Sequence, residues 1–294
     1  MKNLFRYILA ALPLVGLTAC SSDEDSQKSQ ADKATAELQV ELQPVGTRSV
    51  LYALPDPMEF YVYVSDESNG YNNYTVGAFY SKGKTTLSQT VMLDDATRHV
   101  YAAYPYTSGS TMTLYTDTQI DYLYGRAEDT NGNLASINRQ NYKANIRMKH
   151  ALALLTFHIK QNAEIGNQLN KINSVTVSNI ANNATLDLQS EGIYNYKSGS
   201  YSVGVDQYAS TEKSIDVQML VVPYYSYAPT LTVNVNGNNN VLTLPSYIEK
   251  GKAYTYDIDV YTAGRLNISN VTIEPRTFGG AYDLNGNTAV LPQK

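Results

Sequence analysis

The stretch Glu37-Leu38-Gln39-Val40-Glu41-Leu42-Gln43 alternates without a break, placing Leu38, Val40 and Leu42 on one side of an extended chain and four polar residues on the other. A two-residue period marks a strand with one face in a core and the other in water. The same period returns at Phe60, Val62 and Val64, at Ile215, Val217, Met219 and Val221, at Leu231, Val233 and Val235, and at Tyr254, Tyr256, Ile258 and Val260. Turn signals stand between the runs: Asn69-Gly70, Asn131-Gly132, Asn236-Gly237 and Asn285-Gly286 each supply residues that tolerate positive φ. No long helical period competes with this pattern. Short strands punctuated in this way predict an all-β fold of antiparallel sandwiches, because βαβ units need helices between their strands.

The longest polar interruption runs over 125–145, and 151–157 then resumes as an apolar, strand-like run. We place a domain boundary near Lys149, with about six strands before it and about eight after it. The expected organisation is a sandwich over 37–149, a second over 150–263, and a C-terminal strand with an appendage over 264–294.

Residues 1–19 read as a secretory signal: Lys2 and Arg6 precede an apolar run over 9–17, and small residues close it at Leu17-Thr18-Ala19. The run carries Pro13 and falls short of the roughly 20 apolar residues that a membrane span needs. Cys20 follows at once and is the only cysteine. With Leu17 and Ala19 before it, this resembles the lipobox of bacterial lipoproteins. That resemblance implies a diacylglycerol on the Cys20 thiol and an acyl chain on its freed amine, together a lasting membrane anchor. Residues 20–36 then form a lipidated polar tether, whose acidic, serine-rich start resembles a surface-export tag.

With Cys20 acylated, no thiol remains for a disulfide, a thiolate metal site or a nucleophile, so core burial must hold the fold. A net charge of -5 and a pI near 5.2 argue against a nucleic-acid partner, since no basic stripe is present. Tyrosine is the outlier, with 26 Tyr against 5 Phe and no Trp. Tyr suits half-buried strands, where the ring packs and the hydroxyl finds water or backbone. Aromatic faces also stack on sugars, which leaves a glycan-binding surface protein as the alternative reading.

The chemistry is sparse. His99 stands beside Arg98, and His150 and His158 lie at the two ends of one strand-like run. None has a carboxylate or a second histidine at metal-ligand spacing, which favours packing over ligation. The sequence lacks G-x-S-x-G, a phosphate loop and H-E-x-x-H. Asp283-Leu284-Asn285-Gly286-Asn287 imitates the start of a calcium loop, but Thr288 and Lys294 occupy positions that need Gly and Glu. We therefore expect no catalytic residues, no metal and no cofactor.

Three stretches resemble a known family. Ile120-Asp121-Tyr122-Leu123-Tyr124-Gly125 and Met148-Lys149-His150-Ala151-Leu152-Ala153-Leu154-Leu155-Thr156-Phe157 are similar to a paired motif of fimbrillin-like proteins, the subunits of type V pili. Leu266-Asn267-Ile268-Ser269-Asn270-Val271-Thr272-Ile273 is similar to the end of their second domain. The resemblance implies two transthyretin-like β-sandwiches in tandem, no catalysis, and export to the outer membrane as a surface lipoprotein. It further implies cleavage by a trypsin-like protease after the first strand, followed by donor-strand exchange between subunits.

Carried onto this chain, the displaced strand is the row Leu38, Val40 and Leu42, and the cleaved bond is Arg48-Ser49. The inserting segment comes from the C-terminal region, at Val271 and Ile273 or at Val290. A one-residue slip would turn the incoming row outward, so the register must match. The implied partners are other pilin subunits, in a homopolymer or as tip and anchor, with a host or bacterial surface ligand beyond them. If 264–294 folds back on its own domain the subunit suits a tip, and if the first strand is retained it suits a basal anchor.

Overall fold

The alternating row at 37–43 becomes two consecutive strands, β1 (Ala36–Glu37) in a small two-stranded sheet and β2 (Gln39–Pro44) at the rim of a larger one. Leu38, Val40 and Leu42 are only 2%, 9% and 3% exposed. Gln39, Glu41 and Gln43 face solvent, as the period requires. The computed structural model describes residues 35–44, 57–66, 74–107, 109–165, 169–224, 228–244, 247–276 and 289–290. The expected signal peptide, Cys20, Arg48, Ser49 and the 283–287 turn all lie outside the described residues.

β2 is the outermost strand of a seven-stranded sheet. Beside it lies β10 (Lys143–His150), and then β9 (Leu123–Arg126), β7 (Arg98–Tyr104), β3 (Met58–Asp66), β4 (Tyr74–Ser81) and β5 (Lys84–Leu87) follow in spatial order. β6 (Met92–Leu93) pairs with β1. The far edge curls back to the first: the Leu42 N–H donates to Thr85 Oγ1 at 3.1 Å, and the Leu38 N–H donates to the Val91 carbonyl at 2.9 Å.

Two five-stranded sheets are built from the second half of the chain together with one strand of the first. One holds β18 (Leu266–Pro275), β17 (Lys252–Val260), β11 (Ala153–Gln161), β14 (Ile215–Val221) and β19 (Ala289–Val290), in that order. The other holds β13 (Ile193–Tyr208), β12 (Lys171–Asp187), β15 (Thr230–Val235) and β16 (Asn238–Thr243), and β8 (Thr111–Tyr115) pairs with the far end of β12. Asn236 and Gly237, with φ of 52° and 87°, make the two-residue turn from β15 to β16.

All-β is the observed class, and among the described residues helix is confined to two single 3-10 turns. Two of the sheets are mixed, because β2–β10, β11–β17 and β14–β19 run parallel, whereas the sheet built on β12 is antiparallel throughout. Each parallel pair joins strands far apart in sequence, a connection no hairpin can make.

Three apolar clusters hold these sheets. Leu38, Val40 and Leu42 pack with Phe60, Val62, Val100, Ile146 and Met148 in the first. The second lies between the five-stranded sheets, where Leu155, Phe157, Val175, Val217, Leu231 and Tyr256 meet. The third is shared by residues from both sides of Lys149: Tyr63, Tyr101, Tyr122 and Tyr124 pack against Leu152, Leu154, Leu186 and Leu220. β11 therefore has apolar residues on both faces, Leu154 turned to the third cluster and Leu155 to the second. That explains why 151–157 shows no alternation in the sequence.

The third cluster also accounts for much of the tyrosine excess. A buried Tyr needs a partner for its hydroxyl, and the Tyr63 hydroxyl donates to the Thr107 carbonyl while accepting from the Thr107 N–H at 3.1 Å. In the second cluster Tyr254 does the same, donating to the Tyr247 carbonyl at 3.1 Å and accepting from the Glu249 N–H at 2.9 Å.

Candidate functional site

The continuous ladder on β2 is on one flank only. Its residues pair in parallel with β10 from Gln39 against Lys143 to Pro44 against Met148. Pro44 ends the run, where its missing N–H costs the ladder least. On the other flank the two contacts to Thr85 and Val91 pin the strand, and a groove of about 480 Å³ opens between them, lined by Glu37, Gln39, Glu41, Thr86, Lys143 and Asn145 among others. An edge strand with a buried apolar row and few outer bonds is the element a sheet can exchange.

The C-terminal candidates sit elsewhere. Val271 and Ile273 belong to β18, paired with Tyr256 and Tyr254 of β17 in a ladder of nine registered pairs. Val271 packs half-buried against the second cluster, while Ile273 is 46% exposed. Val290 lies opposite Val217 of β14, in a contact of two pairs.

A buried ionic cluster stands where β10 and β18 end. Arg276, directly after β18, aims its guanidinium at Asp121 in the loop before β9, with N–O distances of 3.1 and 2.9 Å to the two carboxylate oxygens. The same group donates to the Leu152 carbonyl at 3.1 Å, and the Arg276 backbone N–H donates to the Gly251 carbonyl at 2.7 Å. His150, the last residue of β10, donates through Nδ1 to Asp121 at 2.9 Å. The three side chains are 0%, 5% and 3% exposed for Arg276, Asp121 and His150.

Burial pushes the Asp121 carboxyl up, but Arg276 and His150 outweigh it and hold the group below the ordinary carboxylate range. Burial pushes the His150 imidazole below its ordinary value, more than Asp121 raises it. The cluster is thus an arginine–carboxylate pair steadied by a neutral histidine.

A second, partly exposed network spans the same junction. Lys149 Nζ lies 2.7 Å from Glu191 and 3.3 Å from Glu128, and Arg126 Nε is 3.4 Å from Glu128. Lys250 stands over the Tyr124 ring at 5.2 Å and donates to the Glu191 carbonyl. Deeper in, Thr116 and Gln119 substitute for missing strand partners. The Gln119 amide accepts from the Leu220 N–H at 2.8 Å and donates to the Leu220 carbonyl at 2.9 Å. Thr116 Oγ1 joins the Ala181 carbonyl to the Val222 N–H at 2.6 and 3.0 Å.

The histidines do not lie at the two ends of one strand. His150 ends β10, Ala151 and Leu152 break the run, and His158 sits inside β11, where its Nδ1 donates to Asp216 at 2.6 Å. That hydrogen bond, acting against partial burial, raises the His158 pKa. His99 faces the Ala135 carbonyl at 3.0 Å. Among the described residues no group of three or more His, Cys, Asp or Glu side chains is placed to hold a metal. No local pattern in the sequence marks the Asp121–His150–Arg276 cluster, although Asp121 and His150 each fall within a family-like stretch.

The model of the fimbrillin-like family matches residues 53–275, and the chain belongs to that family. Its solved structural neighbours share the fold at low identity. A protein assigned to cell adhesion from Bacteroides uniformis is 18% identical over 81% of this chain and 98% of its own, with a TM-score of 0.59. A fimbrial protein from Bacteroides vulgatus is 13% identical over 81% and 99%, with a TM-score of 0.55. The tip fimbrial protein Mfa3 from Porphyromonas gingivalis, with a C-terminal truncation, is 9% identical over 82% and 100%, with a TM-score of 0.50. No curated protein matches the chain.

Proposed function

We propose that the chain is a structural subunit of a cell-surface fimbria, delivered to the outer membrane as a lipoprotein through Cys20 and matured by cleavage between Arg48 and Ser49. A strand from another subunit then takes the place of β2. Family membership and the fimbrial neighbours support the class, and the proposed units are the sandwiches 37–149 and 150–263.

The observation that carries the exchange is the position of β2: a rim strand, laddered on one flank, with Val40 and Leu42, and Leu38 just before it, inside the first cluster. Burying each such side chain contributes about 1.5–3 kcal/mol. Removing the strand therefore opens a groove that only a row of matching register can refill. The donor is the segment around Val290 rather than the one around Val271 and Ile273. Freeing β19 breaks two pairs, whereas freeing β18 breaks nine.

Limited trypsin digestion of the purified chain tests this reading. We expect a new N-terminus at Ser49 and a heat-resistant oligomer on a gel, both lost in Arg48→Ala. A digested protein that stays monomeric with 37–43 still attached would sink it.

A further inference from the structure

We infer that Asp121, His150 and Arg276 form a mechanical clamp that carries tension between β10 and the chain beyond Arg276, loading the β10–β9 pair of the seven-stranded sheet before β18 can peel from β17. The strand-exchange reading supplies the source of that tension; the clamp itself is a property of one chain.

The geometry defines the load path. β10 pairs with β2 from Lys143 to Met148, so any strand in the β2 position pulls on β10. Two residues further, His150 ends β10 and holds Asp121. The end of β10 is itself tied to β9 through Lys149 opposite Tyr124, His150 opposite Leu123, and the Ala151 N–H on the Tyr122 carbonyl at 2.9 Å. Asp121 holds Arg276 by two charge-assisted bonds. Force arriving at one end of this path reaches the other without crossing the second cluster.

Without the clamp the path would be weak. β18 is an edge strand laddered only to β17, so a pull on its end would open its ladder one pair at a time. A forked guanidinium–carboxylate pair at that end must instead break as a unit. The chemistry fits this role better than a packing role. Buried ions are costly to desolvate, and apolar side chains of similar volume would fill the site as well, whereas only a directional pair fixes one residue against another.

The test is single-molecule pulling on the full chain in two directions, using handles at Gly132 and the C-terminus, and then at Gly132 and Gly237. Gly132 and Gly237 both lie in exposed turns. With the C-terminal handle, Arg276→Gln should lower the force of the first main unfolding step by about twofold, because charge-assisted bonds are about twice as strong as neutral ones. With the Gly237 handle the force should stay unchanged. An unaltered force in the C-terminal direction overturns the clamp, and so does an equal fall in both directions, which would mark a stability effect alone. If Arg276→Gln does not fold, Asp121→Asn supplies the same comparison. A failed trypsin polymerisation would refute strand exchange while leaving this result standing.

Discussion

Arg276 and Asp121 are 155 positions apart in the chain, yet their charged groups meet at 2.9 Å in a fully enclosed site. Removing one partner leaves the other charged and buried. Arg276→Met or Asp121→Leu should each cost about 3–5 kcal/mol of folding stability. The double variant, which leaves no orphan charge, should regain a large part. Urea unfolding measured on all three decides it, and a double variant as unstable as the sum of the singles contradicts the assignment.

Stability should respond to pH through two histidines of opposite sign. The folded His150 pKa lies below its ordinary 6.5, so its contribution is present above pH 6.5 and is lost as the pH falls from there through its folded value. Asp121 adds a loss in the same direction below its ordinary 3.8. His158 has a raised pKa, so its contribution is present below 6.5 and is lost as the pH rises through its folded value. Urea midpoints between pH 4 and 9 should therefore show His150→Asn flattening the acid limb and His158→Asn flattening the alkaline limb. An unchanged acid limb in His150→Asn contradicts this account.

Gly125 is required by proximity. A Cβ there would stand 2.5 Å from the Arg147 carbonyl oxygen and 2.8 Å from Ile146 Cγ2, forcing β9 away from β10. Gly125→Ala should lose about 1–3 kcal/mol, the usual cost of overpacking. Thermal unfolding checks it, and a neutral result would mean that the two strands can separate freely.

Gln119→Ala should strip the Leu220 amide and carbonyl of their partners, at about 1–3 kcal/mol for each buried group left unsatisfied. Hydrogen exchange should show Leu220 losing protection ahead of Val217, which lies further along β14. Equal protection at both positions in the variant would show that the amide is not acting as a strand substitute.

What the sequence revealed and what it hid follow from the range of each interaction. Leu38, Val40 and Leu42 could be assigned to one buried face because a strand's period is local. Asn236-Gly237 likewise named its turn in advance. The parallel pairing of β2 with β10 could not be read, since alternation is the same whichever way the partner runs. The buried cluster was hidden for a related reason: Asp121 and His150 are 29 residues apart, and Arg276 joins them from the far end of the chain. No spacing rule covers such a meeting. The boundary expected near Lys149 falls inside β10, the tyrosine-lined third cluster straddles it, and the pairing of β8 with β12 crosses it.

That tyrosine-lined cluster contains no residue of β2. Under the proposed exchange, a body missing its rim strand keeps this cluster intact, so it can wait for a neighbour as a stiff but unfinished brick. Rigidity and incompleteness are located in different places, and a growing fibre could lengthen without any of its units first softening.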